Sequence, residues 1–210
     1  MGSDGSEKKL DLSSAASAPS TRSPASRNPE SHADTEIVDA IRRGDHREAL
    51  TLCARHHARA IGRLCIALLG QASEADDALQ DTLLAAHASF GSFRGDGSLR
   101  AWLFSIARRR CARVLERRKT QPSVERQAAD DPSDVSNDEL TDALVDARRR
   151  AVAARALLAR VRPTEREALL LRYEAGLSYR EVGEACGVDE AAARKRVSRA
   201  LARLREIVKE

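Results

Sequence analysis

Aromatic residues are scarce. Phe, Tyr and Trp make up 3% of the 210 residues, against 42% for all apolar types together. A core assembled mainly from Ala, Leu and Val favours small helical bundles over a large α/β sheet. Long hydrophobic runs are also lacking. No stretch reaches the roughly 18 consecutive apolar residues that mark a membrane-spanning helix, so no membrane insertion is expected. The N-terminus has no apolar segment of the signal-peptide type. The four cysteines, Cys53, Cys65, Cys111 and Cys186, include no C-x-x-C pair, which argues against zinc ribbons and dithiol redox motifs. Their wide spacing reads as reduced packing thiols in a cytoplasmic protein. His56 and His57 lie close to Cys53, but adjacent residues on a helix point in different directions and make a poor ligand set. Gly-rich phosphate loops, nucleophile motifs and clustered metal ligands are missing too. The sequence therefore predicts no catalytic residue, no metal site and no cofactor.

What is present is charge, and its distribution matters more than the formal net value of +4. Residues 1–33 are rich in Ser, Ala, Pro and charge without periodicity, which predicts an extension with no fold of its own. Helical patterning begins at Asp34, expected to cap a short helix carrying Ile37, Val38 and Ile41 and closed by Gly44. A longer amphipathic helix follows up to Gly70. Ser73 is the expected cap of a third helix. A Gly-rich loop (FGSFRGDGS, 90–98) leads to Ser98, the cap of a fourth. Residues 34–119 thus form one four-helix unit. Residues 120–146 hold two prolines and a run of Asp and Glu, and read as a flexible acidic linker turning helical toward its end. Residues 147–210 are helical again, with candidate capping boxes at Thr164–Glu167 and Ser178–Glu181. The predicted fold is all-α: two small helical domains joined by an acidic linker.

Three surfaces carry functional signals. The clearest is Ser178 to Leu204. A short helix leads to Gly187, suited to a left-handed turn, and Gly183 lies where crossing helices need a small side chain. Asp189 caps a second, basic helix. This is a helix-turn-helix whose second helix fits the major groove. Glu190, Ala191, Arg194, Lys195, Arg196, Ser198 and Arg199 are its candidate DNA-facing residues. The second signal is the fourth helix, where Trp102 and Phe104 precede a dense arginine run. Arg109, Arg110, Arg113 and Arg117 can track a phosphate backbone. Phe93 and Arg94, with Trp102, are placed to meet unstacked bases. For Trp102 and Phe104 a core role is the commoner reading. The third is an acidic helical face, Asp77, Gln80 and Asp81, which reads either as a protein-docking surface or as a solvated helix start.

The segments EADDALQDTLLAAHASF, FRGDGSLRAWLFSIARRRCARVLERR and LARVRPTEREALLLRYEAGLSYREVGEACGVDEAAARKRVSRALARLR occur in an order that resembles the extracytoplasmic function (ECF) sigma factors of bacterial RNA polymerase. The resemblance spans nearly all of residues 34–205. It implies a DNA-binding specificity subunit. Asp77, Gln80 and Asp81 would dock on the clamp helices of the polymerase β′ subunit. The loop from Phe93 to Ser98 would hold a flipped base of the −10 element, with the following helix assisting melting. The last block would read the −35 element and touch the β flap. An anti-sigma factor would be a further partner. Where the family usually has Asn and Asp, this chain has Arg109 and Ala112. Two other readings stay open at this point: a free-standing helix-turn-helix regulator, and a sigma mimic that titrates an anti-sigma factor.

Overall fold

A computed structural model describes residues 29–120 and 142–209. Most of the N-terminal extension (1–28) and most of the acidic linker (121–141) lie outside the described residues. Among these residues all regular structure is helical. The order is α1 (Pro29–Arg42), α2 (His46–Leu69), α3 (Ala72–Ser89), a 3-10 turn (Phe90–Ser92), α4 (Leu99–Thr120), α5 (Asp142–Ala159), α6 (Pro163–Tyr173), α7 (Tyr179–Cys186) and α8 (Glu190–Lys209).

Local chemistry explains the boundaries and corrects three expected caps. α1 begins at Pro29 and not at Asp34. Proline tolerates the first helical position because its missing N–H has no partner there anyway. Asp34 is therefore internal to α1, and its carboxylate lies 2.9 Å from Nε2 of buried His57 on α2, in contact but not aligned as a hydrogen bond. Asp45 caps α2 by accepting the Glu48 N–H at 3.0 Å. Gly70 closes α2 in the left-handed conformation at φ 85°. Its reversal leaves only Gln71, extended, to take the cap position of α3, so Ser73 lies within the first turn. At α6 the cap is Arg162 with Pro163 next, and the Thr164–Glu167 box does not form. Proline sets the helix start there, and Glu167 pairs with Arg108 at 3.2 Å instead. Ser98 and Asp189 do cap, accepting the N–H of Ala101 at 3.3 Å and of Ala192 at 2.6 Å.

α3 buries small side chains, Ala75, Ala78, Thr82 and Ala86, at helical spacing, which lets α2 lie close alongside it. Thr82 returns its hydroxyl to the Ala78 carbonyl at 2.6 Å. α4 is buried on two sides. Leu99, Leu103 and Ile106 pack with Ile37, Ile41, Cys53 and Phe90 in a core belonging to α1–α4. Phe104, Ala107 and Cys111 belong to a second cluster that continues through Leu171, Leu177, Val182 and Val197 of the C-terminal helices. The two units thus share one apolar core, with each fully buried large side chain contributing about 1.5–3 kcal/mol. The composition of the linker gives no sign of this.

Candidate nucleic-acid interface

The C-terminal site is assembled by the turn between α7 and α8. Ser178 accepts the Glu181 N–H at 3.2 Å while Glu181 accepts the Ser178 N–H at 2.8 Å, a complete capping box. Gly187 adopts φ 68°. A Cβ on Gly183 would stand 2.7 Å from the Val188 carbonyl oxygen, so only glycine lets the helices cross here. Ala193, Val197 and Ala200 turn inward. Glu190, Ala191, Arg194, Lys195, Ser198 and Arg199 are exposed on the outer face of α8, whereas Arg196 is half-buried and hydrogen-bonds toward Cys186. Arg194 pairs with Glu190 at 2.7 Å and lies 4.7 Å from the centre of the Tyr179 ring. Arg172 approaches the same ring at 5.1 Å. Tyr179 therefore orders Arg194, a role that the Ser178–Glu181 pattern did not reveal.

At the other end, the loop before α4 shapes a cleft of about 540 Å³ whose lining includes Phe93, Arg94, Ser98, Trp102, Ser105 and Glu184. The Phe93 and Trp102 rings stand 4.9 Å apart. Behind them Phe90 is buried, 6.0 Å from Trp102. Phe104, by contrast, is fully buried, so of the aromatic pair on α4 only Trp102 faces the cleft. The arginine run divides in the same way. Arg108 is held by Glu167, and Arg118 donates to the Leu69 carbonyl at 3.0 Å and pairs with Glu74. Arg109, Arg113 and Arg117 are exposed and Arg110 half-exposed. Arg109 reaches Ser105 at the cleft edge at 3.2 Å. Arg117 lies 15 residues beyond Trp102, about 22 Å along the helix axis, so the cations extend away from the cleft as a track. Asp77, Gln80 and Asp81 are exposed together on α3, with Ala75, Ala78 and Thr82 buried on its opposite side.

The thiols lie apart from these surfaces in chemical terms. Burial, with Asp34 nearby, pushes the Cys53 thiol up to about 12. The hydrogen bond with Cys65 and burial raise Cys111, and burial raises Cys186. No group of three or more potential metal ligands occurs among the described residues, and no described helix is long and apolar enough to cross a membrane.

Sequence reasoning missed the contacts between the two units. Glu181 and Glu184 of α7 bind Ser98 at the start of α4. Arg100 donates to the Ala175 carbonyl at 2.8 Å, and Arg63 to that of Glu174 at 3.2 Å. Ser98 and Glu181 each belong to a local cap pattern, but a cap signal points only to a neighbour in its own helix, so it could not have found a partner in the other unit.

Comparison with known proteins gives two family matches. Residues 53–121 match the Sigma-70 region 2 family and residues 151–204 the Sigma-70 region 4 family. The ECF RNA polymerase sigma factor SigM of Mycobacterium tuberculosis is 31% identical over 175 residues, covering 83% of this chain and 84% of SigM. The RNA polymerase sigma-H factor of Pseudomonas aeruginosa is 29% identical, covering 80% and 89%. Among solved structures, CnrH in complex with the cytosolic domain of CnrY aligns with a TM-score of 0.65 at 22% identity, over 84% of this chain and 97% of CnrH. The sigma factor RpoE in complex with the anti-sigma factor NepR, from Bartonella quintana, aligns with a TM-score of 0.53 at 28% identity, over 79% and 97%.

Proposed function

This chain belongs to the ECF sigma factors, and from that premise we propose that it reads −35 duplex DNA with α8 and holds unpaired −10 bases in the cleft between the 3-10 turn and α4. The observation that carries this reading is the pairing of two surfaces. One is a basic helix with its outer face free for a major groove. The other is a Phe93–Trp102 cleft leading into an arginine track. On this reading residues 34–119 act as a region 2 unit, 120–146 as a connector, and 147–210 as a region 4 unit. Asp77, Gln80 and Asp81 dock the chain on the β′ clamp helices, and the C-terminal unit also touches the β flap.

The physics is binding energy spent on distortion. Opening a base step costs a few kcal/mol, and stacking on an aromatic side chain returns about 1–3 kcal/mol per base. Phosphate contacts from Arg109, Arg113 and Arg117 add affinity that falls steeply with salt. Linking the two units raises the effective concentration of the second once the first is bound. The complex of RpoE with NepR supports an anti-sigma factor as a partner of this chain as well.

The test is reconstitution. Purified chain and bare core polymerase are given a genomic fragment library, and transcript 5′ ends are sequenced. Starts that share one pair of upstream elements are the expected result. Random starts, with both components folded and active, would refute the reading. Regulation by the helix-turn-helix alone would leave core polymerase indifferent to the chain.

A further inference from the structure

Two of the four thiols meet inside the shared core. α2 buries Ile61, Leu64, Cys65 and Leu68, α4 buries Phe104, Ala107 and Cys111, and both sets belong to one apolar cluster. Arg118 on α4 donates to the Leu69 carbonyl on α2 at 3.0 Å, so the two helices lie side by side there. About one turn earlier on α2 and two on α4, the Cys111 S–H donates a hydrogen bond to the Cys65 sulfur. Cys65 is 0% exposed and Cys111 1%. The other two thiols have different surroundings, Cys53 near Asp34 and Cys186 near Arg196.

The hydrogen bond makes the pair chemically unequal. A sulfur that accepts an S–H bond carries negative charge more readily, and the donor keeps its proton. The bond from Cys111 lowers the Cys65 thiol against the opposing pull of burial, whereas that bond and burial raise Cys111. Thiolate is the attacking form of cysteine, and a neighbouring thiol can resolve the sulfenic acid that oxidation leaves behind. Local opening of a packed core admits a small neutral oxidant more readily than a charged or bulky one.

We propose that Cys65 and Cys111 form an oxidisable dithiol, in which Cys65 attacks hydrogen peroxide and Cys111 closes a disulfide between α2 and α4. In the first step the Cys65 thiolate bonds to one peroxide oxygen and the O–O bond breaks. Hydroxide leaves and takes up the proton that Cys65 released, giving water. In the second step the Cys111 sulfur attacks the Cys65 sulfenic acid. The S–S bond forms, the S–O bond breaks, and the Cys111 proton leaves with that oxygen as a second water. Two thiols lose two electrons in total, and one hydrogen peroxide gains them. Both residues are enclosed in the core, so the site stands apart from the reading of the nucleic-acid surfaces.

Peptide mapping of the full chain tests this. Reduced protein, freed of reductant, is treated with hydrogen peroxide at neutral pH and then alkylated with iodoacetamide in denaturant. Mass spectrometry should find the Cys65 and Cys111 peptides joined and two hydrogens lighter than their reduced sum, with Cys53 and Cys186 alkylated. Dithiothreitol should restore both thiols. In Cys111→Ser the sulfenic acid on Cys65 has no resolving partner and should be trapped by dimedone. Cys65→Ser should lose that adduct. Four free thiols after peroxide treatment of the folded wild-type chain, or a different pair joined first, would overturn the inference whether or not either variant folds. Equal dimedone labelling of the two variants would overturn the choice of Cys65 as the attacking sulfur.

Discussion

Phe93 leans on Trp102 with ring centroids 4.9 Å apart and planes inclined by 51°. The pair is neither fully buried nor fully exposed, and it forms one wall of a cleft where a flat base can meet aromatic faces beside Arg94. Replacing either ring by Ala should weaken strand opening about 5- to 150-fold, from the loss of about 1–3 kcal/mol of stacking. Permanganate reactivity of promoter thymines in the reconstituted complex measures it, with core binding retained. Phe104→Ala should behave differently, because its ring is fully buried. It should cost about 3–5 kcal/mol of stability and act through unfolding.

The joint of the helix-turn-helix offers a sharper stability test. A methyl group on Gly183 would meet a backbone oxygen at 2.7 Å, and backbone cannot rotate out of the way as a side chain can. Gly183→Ala should cost about 1–3 kcal/mol by overpacking. At Gly187 open space surrounds the Cβ position, so Gly187→Ala should cost only the left-handed backbone term, about 1–2 kcal/mol. Urea denaturation of the two variants against wild type gives the ranking, with Gly183→Ala the less stable.

Acid should loosen the contact between the units. Burial pushes the Glu181 carboxyl up, but hydrogen bonds from Ser98 and Ser178 and the charge of Arg100 outweigh it and hold the group below its ordinary value of 4.5. A carboxyl depressed in the folded state stabilises that state at pH above the unfolded value, and the contribution is lost as pH falls through the folded value. The stability gap between wild type and Glu181→Gln should therefore be widest near neutral pH and narrow as pH drops below 4.5. Urea midpoints measured across that range test it, and a gap that stays constant would contradict the assignment.

Much of this was legible in the sequence because it is written in local patterns. Ser178, Glu181, Gly187 and Asp189 act within one turn of where they stand, so spacing alone located the helix-turn-helix. Helical class and the four-helix unit followed from apolar periodicity. The caps at Asp34, Ser73 and Thr164 failed for a shared reason. A neighbouring Pro29, Gly70 or Pro163 fixed the backbone first, and a cap-competent side chain one to five positions on had no terminus left to serve. The division of the arginine run was illegible for another reason. Arg108 and Arg118 differ from Arg109 and Arg117 only in which distant carboxylate the fold brings to them, Glu167 and Glu74. The shared core is likewise a property of pairs far apart in the chain, such as Phe104 with Val182.

The central claim is a division of labour between two remote surfaces, and one paired assay tests it most directly. Arg194→Glu with Arg199→Glu, both on the exposed face of α8, and separately Asp77→Lys with Asp81→Lys, are each assayed for binding to core polymerase and for transcription from a promoter mapped with the wild-type chain. The arginine variant should keep core affinity and lose promoter-specific transcripts by about 100-fold or more, the worth of two phosphate or base contacts. The aspartate variant should lose core affinity while its chain still binds promoter duplex. Loss of core binding by the arginine variant to the same degree as by the aspartate variant would contradict the account.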